Sequence, residues 1–134
     1  MKRFLLACAV VCGFSTPALA LDLVCNVRDT GDGFISPVIV FRFPDNGGKT
    51  EVFDVFIREV YEKPIPARVR QRRDGSYVLT WRISNLPARP RPATIGYRAV
   101  LNAQRNTVQV TGSLRGVTNS INGRGQCAPG RFDG

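Results

Sequence analysis

Apolar and polar residues alternate with a period of two along most of this chain. Residues 51 to 61, EVFDVFIREVY, place Phe53, Val55, Ile57 and Tyr61 on one side. In IGYRAVL, residues 95 to 101, Ile95, Tyr97, Ala99 and Leu101 share a face and Arg98 takes the other. VQVTGSL, residues 108 to 114, repeats the pattern with Val108, Val110 and Leu114. Such alternation predicts half-buried β-strands. The run VIVFRF at 38 to 43 begins as continuous apolar, as in a strand covered on both faces or crossing a barrel. No window carries a 3.6-residue stripe long enough for a helix. With a strand around Cys25 the pattern predicts about seven strands, an all-β fold that is a small antiparallel β-barrel or β-sandwich. There is no internal repeat and no interdomain linker.

Turn chemistry agrees with antiparallel order. Pro44-Asp45-Asn46-Gly47-Gly48 separates the strand at 38–43 from the segment at 51–61, as a hairpin loop does. Asn102 to Thr107 separates two strands, with Asn106 suited to a left-handed conformation. Three prolines in NLPARPRPA, residues 85 to 93, cannot donate to a sheet ladder, so this segment is expected to be an extended surface loop exposing Arg89 and Arg91.

The stretch PARVRQRRDGSYVLTWRIS, residues 66 to 84, turns on its register. A two-residue Asp74-Gly75 turn would set Arg72, Arg70 and Arg68 beside Tyr77, Leu79 and Trp81, burying unpaired charge. A three-residue loop, Arg73-Asp74-Gly75, instead faces Gln71 to Tyr77, Val69 to Leu79 and Ala67 to Trp81. Arg68, Arg70 and Arg72 then lie outside, opposite Thr80, Val78 and Ser76, with Arg82 beyond them. Gly75 stands where such loops want a left-handed residue. A slip of one residue would exchange the two faces, so the second register is expected.

The N-terminus changes which residues belong to the folded protein. MKRFLLACAVVCGFSTPALA has a basic start at Lys2 and Arg3, an apolar stretch from Phe4 to Phe14, a breaker at Pro17 and a small-x-small site at Ala18-Leu19-Ala20. That order predicts a signal peptide over 1–20, cleaved after Ala20, and a single β-rich domain over 21–134 in the periplasm or outside the cell. Leu5-Leu6-Ala7-Cys8 offers a lipoprotein box, but it leaves too short an apolar stretch before the cysteine. The leader is also too short to span a membrane, and the mature chain has no transmembrane segment. Cleavage removes Cys8 and Cys12. Cys25 and Cys127 remain, and an exported chain with two cysteines predicts one disulfide between them.

Charge then narrows the partners. The chain carries 19 basic and 10 acidic residues and no histidine. Without Lys2 and Arg3 the net charge is +7, and only Lys49 and Lys63 among the remaining basic residues are lysine. A positive surface favours anionic partners: an envelope lipid, a glycan or an acidic protein. The competing explanation is compositional, an arginine-rich coding bias without function.

The catalytic inventory is thin. Without histidine or a free thiol, the common base and nucleophile pairs are missing, and neither a zinc site nor a thiol enzyme has its ligands. Asp54 and Glu59 differ in strand parity and point to opposite faces; Glu59 and Glu62 read as solvated surface. DTGDG, with Asp29 and Asp32, lacks the further ligands of a calcium loop and reads as a polar turn. The glycine-rich segments near the C-terminus lack the Gly-Lys-Ser/Thr ending of a phosphate loop. No catalytic residue, metal site or cofactor is expected, and the protein is read as a non-enzyme.

YVLTWRISNLP followed by YRAVLNAQRNTVQVTGSLRGVTNSINGRGQC resembles a group of small exported proteins from alphaproteobacteria. The resemblance covers roughly residues 76 to 127 plus Cys25. It implies export and the Cys25–Cys127 pairing, and no activity. Compact barrels that inhibit c-type lysozyme share the small exported format, but their Ser-Gly loop near a tyrosine has no clear counterpart here. Lysozymes of that class are also basic, so a chain at +7 would meet like-charge repulsion. Two readings lead. One is a binding module whose Arg68, Arg70, Arg72 and Arg82, with Arg89 and Arg91, meet an anionic surface. The other is a small-ligand carrier with a barrel pocket lined by Phe41, Phe53, Tyr77, Trp81 and Tyr97.

Overall fold

The computed structural model describes residues 21–44, 48–114 and 121–130. The expected signal peptide and the centre of the 44–48 loop lie outside the described residues. Among the described residues nine strands, all antiparallel, form one sheet that curls into a nearly closed barrel. They are β1 (Leu21–Asp29), β2 (Val38–Phe43), β3 (Glu51–Asp54), β4 (Ile65–Pro66), β5 (Arg68–Gln71), β6 (Tyr77–Leu86), β7 (Ala93–Asn102), β8 (Thr107–Leu114) and β9 (Ile121–Pro129). The order across the sheet is β4-β3-β2-β1-β9-β8-β7-β6-β5. Strands adjacent in the chain therefore pair with each other, except β4 and β5, which form the two edges, and β1–β9 joins the two halves. No helix among the described residues is long and apolar enough to cross a membrane.

The barrel replaces the open choice between barrel and sandwich, with more strands than the periodicity predicts. β4 is only a two-residue bridge. β9 gives no strand signal because Gly123 and Gly125 interrupt its alternation. Those glycines are what the β1–β9 contact requires: a Cβ on Gly125 would run into the Asn26 carbonyl, and one on Gly123 would meet Val27 and Ile35 side chains. Cys25 and Cys127 stand directly opposite each other in this pair, with Cα atoms 4.0 Å apart, and are joined by a disulfide.

Inward positions interlock as the alternation predicts. Val110, Ala99 and Leu79 form one continuous inward row across β8, β7 and β6, and all three are fully buried. A second row brings Trp81 onto Tyr97, stacked at 5.4 Å, with Phe41 edge-on to Trp81 at 5.6 Å. The Trp81 indole N–H finds no acceptor among the described residues.

The strand expected over 51–61 is the largest departure. Residues 51–61 are not a single strand: β3 ends at Asp54, and α1 (Val55–Tyr61) follows. Asp54 caps the helix, its carboxylate accepting from Ile57 N–H at 2.8 Å, and Glu62 closes it with a left-handed φ of 62°. The faces change with it. Val52 and Asp54 are buried where Phe53 was expected to be, and Val55 is exposed, whereas Ile57 packs inside. Asp54 and Glu59 consequently belong to a cap and an exposed helix face, not to two faces of a strand.

Helix α1 lies against β6, on the side where the sheet does not close. Tyr61 Oη accepts from Ser84 N–H at 3.0 Å, a backbone donor left without a strand partner where β5 has ended. At the other end of the helix, Ser36 Oγ accepts from Val55 N–H and donates to Val38 O. Tyr97 Oη donates to Phe34 O at 2.7 Å. Burial pushes the Asp54 carboxyl up to about 6, against the downward pull of hydrogen bonds from Ile57 and Phe56 N–H. Burial likewise pushes the Tyr97 phenol up, with the nearby Asp54 charge adding to the effect.

Candidate functional site

The β5–β6 hairpin takes the three-residue register. Arg68 pairs with Thr80, Val69 with Leu79, Arg70 with Val78 and Gln71 with Tyr77. Arg72 N–H donates to Ser76 O around the loop, and Gly75 has φ of 87°. The Asp74 carboxylate accepts from both Ser76 N–H and Ser76 Oγ, which holds its pKa below the ordinary carboxylate value. The loop is therefore fixed by its own side chains.

Two details of the hairpin differ from expectation. Ala67 does not pair with Trp81; its N–H donates to Thr50 O instead, because the chain is still leaving β4 at that point. Val69 faces inward but is 38% exposed, since β5 is an edge strand with no neighbour beyond it. Both effects come from the incomplete closure between β4 and β6.

Arg68, Arg70, Arg72 and Arg82, expected on one outer face, and Arg89 and Arg91, expected in the proline loop, are spread along the length of β6. Arg70 and Arg72 run toward the hairpin tip. Arg89 and Arg91 sit in the 87–92 loop at the opposite end of β6, shorter than the expected 85–93 loop because Asn85 and Leu86 extend β6 and Ala93 begins β7. Arg68 and Arg82 stay together on the outer face between them, and all six are exposed.

The structure adds Arg98 to that pair. Register places Arg68, Thr80, Arg98 and Thr111 in one outward row across β5 to β8, and Arg82, Gly96 and Ser113 in the next. Arg82 is thus diagonal to both Arg68 and Arg98, which in sheet geometry means Cα separations of about 7–8 Å. Arg68 and Arg98 stand two strands apart, about 10 Å. These three arginines line one open groove of about 1200 Å³, which runs from the β4–β6 seam over β6, β7 and β8 and has Lys49 at its rim. The single ion pair found among the described residues, Arg42–Asp22 at 3.0 Å, lies elsewhere. The carboxylate and a neighbouring Glu51 together hold the Arg42 pKa above its ordinary value.

The alternation in 95–101 already puts Arg98 on the outward face of its strand, but only the β6–β7 register sets it opposite Thr80. Lys49 had no local signal at all. A second groove, of about 1030 Å³, contains Arg28 directly opposite Arg124 across β1 and β9.

The residues offered for an internal ligand behave as core. Phe41, Trp81 and Tyr97 are at most 5% exposed and pack on each other, and Tyr77 contacts Phe43 at a ring distance of 6.3 Å. Phe53 is half-buried. The DTGDG segment forms a turn in which Asp29 Oδ1 accepts from Gly31 N–H at 2.8 Å. No group of three or more metal-ligating side chains occurs among the described residues.

No family model, curated protein or solved structure matches this chain. The groove is read on its own chemistry.

Proposed function

We propose that this protein is an exported, non-enzymatic binding module that holds an anionic partner on its arginine-bearing outer face. The observation that carries the reading is the cluster of Arg68, Arg82 and Arg98 around Thr80 and Gly96, without an acid in ion-pair range among the described residues. Guanidinium groups bind phosphate, sulfate and carboxylate through paired N–H donors, which suits arginine better than lysine. An oxidising compartment is supported by the Cys25–Cys127 disulfide. The aromatic stack inside the barrel leaves the carrier reading without a comparable observation in its favour.

The test is elution from heparin resin. Replacing Arg68, Arg82 and Arg98 together with serine should lower the eluting salt concentration markedly. Replacing Arg89, Arg91 and Arg105 removes the same charge from other sites and should lower it much less. Equal falls for the two triples would reduce the binding to net charge and end the proposal.

A further inference from the structure

Resting on that reading, we infer that the groove across β6, β7 and β8 is a site for an anionic glycan chain, seated on Gly96 and gripped by Arg82 between Arg68 and Arg98. Two features of the floor lead there. Gly96 faces outward in an ordinary strand conformation, and a Cβ added to it would meet only Ser113 Oγ, at 3.5 Å. Packing therefore does not require glycine at this position; its absent side chain leaves the groove open down to the backbone. Thr80 and Ser113 flank it with hydroxyls that can both donate and accept hydrogen bonds, and Thr111, whose hydroxyl donates to Arg98 O at 3.4 Å, can still accept. Sugar hydroxyls need that bidirectional pairing, and anionic substituents need the guanidinium forks.

The extent of the groove, more than the arginine spacing, favours a chain over an isolated ion. Arg68 and Arg98 have Cα atoms about 10 Å apart, a span that their long side chains can close onto one anion or leave open to neighbouring ones, with Arg82 diagonal to each. A ligand carrying successive sulfate or carboxylate groups can meet all three in turn. The groove continues beyond them to the seam and Lys49, so the ligand can extend along it.

Two other polyanions fit less well. Single-stranded nucleic acid is held through exposed aromatic rings on which bases stack. Here Trp81 and Tyr97 are 5% and 4% exposed and are stacked on each other in the core, and the third ring along the groove, half-buried Tyr61, is tied by its hydroxyl to Ser84 N–H. A bilayer surface would be met by apolar side chains beside the cations. The exposed large apolar residues are Leu21, Phe34, Val55 and Val69, and none of them lines the groove; its apolar side chains outside the core, half-buried Ile65 with the small Pro66 and Ala67, lie together at the seam, away from Arg82 and Arg98.

The deciding variants leave the charge unchanged. Gly96→Phe and, independently, Ser113→Phe fill the groove while keeping every arginine. Binding of a heparin-derived oligosaccharide is measured by calorimetry at fixed salt, after urea midpoints show that each variant is folded. Each variant is expected to bind on the order of tenfold more weakly or worse, and the Arg68, Arg82 and Arg98 serine triple to lose binding as well. Wild-type affinity in both folded phenylalanine variants, with loss in the serine triple, overturns the groove while leaving the arginine face standing. Wild-type affinity in the serine triple overturns both. Anionic phosphatidylglycerol vesicles and a single-stranded oligonucleotide serve as competitors at matched charge. Stronger binding of either one, blocked by Gly96→Phe, would replace the glycan as occupant.

Discussion

The barrel has two seams, and they are built differently. On one side β1 and β9 run together from Leu23–Pro129 to Asp29–Gly123, pressed close by glycine and joined by the Cys25–Cys127 bond. On the other, β4 and β5 are short edge strands, β6 continues past the end of β5, and helix α1 with its Tyr61 hydroxyl occupies the gap. The first seam carries stability through backbone pairing and a covalent link. The second leaves donors, edges and a groove. The arginine cluster lies at the second, so the part of the molecule least committed to its own packing is the part with surface to offer.

The largest effect should come from the closed seam. Replacing Cys25 and Cys127 by alanine releases a loop spanning 102 residues and is expected to cost about 4–5 kcal/mol in the chain-entropy description. Urea unfolding followed through Trp81 fluorescence measures it. A loss below about 1 kcal/mol would mean that glycine-mediated pairing holds this seam without the bond, and the contrast between the seams would weaken.

An intermediate effect belongs to the helix that fills the open seam. The Asp54 carboxyl titrates near 6 in the folded protein, above its unfolded value of about 3.9. The folded state therefore holds that proton more tightly. Its contribution to stability is present in full below about pH 4 and is lost as the pH rises through 6. At pH 7 the buried charge costs up to about 3 kcal/mol. Asp54→Asn keeps an acceptor for Ile57 N–H, so it should stabilise the protein at pH 7.5 and lose most of that gain at pH 4. Paired urea titrations at the two pH values read this out; a gain independent of pH would show that charge burial is not its source.

The smallest effect is expected from the arginines. Each of Arg68→Ser, Arg82→Ser and Arg98→Ser should change stability by less than about 0.5 kcal/mol, because the side chains are exposed and unpaired. Thermal melts check it. A loss above about 1 kcal/mol for any one of them would give that arginine a structural role and sharpen the line between support and surface.

Much of this was legible in residue patterns, wherever one face is buried and a turn sets the register. Arg68, Arg70 and Arg72 went outward because the opposite register would have buried them, and the structure agrees. The alternation in 95–101 and 108–114 likewise identifies the correct faces. Residues 51–61 misled because Phe53, Val55, Ile57 and Tyr61 satisfy a period of two, while Ile57 and Tyr61 equally satisfy a helical step of four. In a helix of only seven residues, periodicity cannot separate the two, and the cap at Asp54 decides. β9 was hidden because its glycines serve a neighbour distant in sequence. The site was half visible for the same reason: Arg68 and Arg82 share a local hairpin, whereas Arg98 joins them only through the next strand pairing.

The β1–β9 pairing also has a kinetic meaning. Each of the other pairings among the described strands links consecutive strands, so hairpins can form early with little loop-closure entropy. The β1–β9 contact must wait for both halves, β1 to β4 and β5 to β9, to be sufficiently ordered to meet. A chain oxidised before then would close its disulfide around an unformed sheet. Oxidised after, the bond records a register already chosen by Gly125 against Asn26. In that order the cysteines act as a latch on a finished fold, and the β1–β9 pairing is the one with the most loop-closure entropy to overcome.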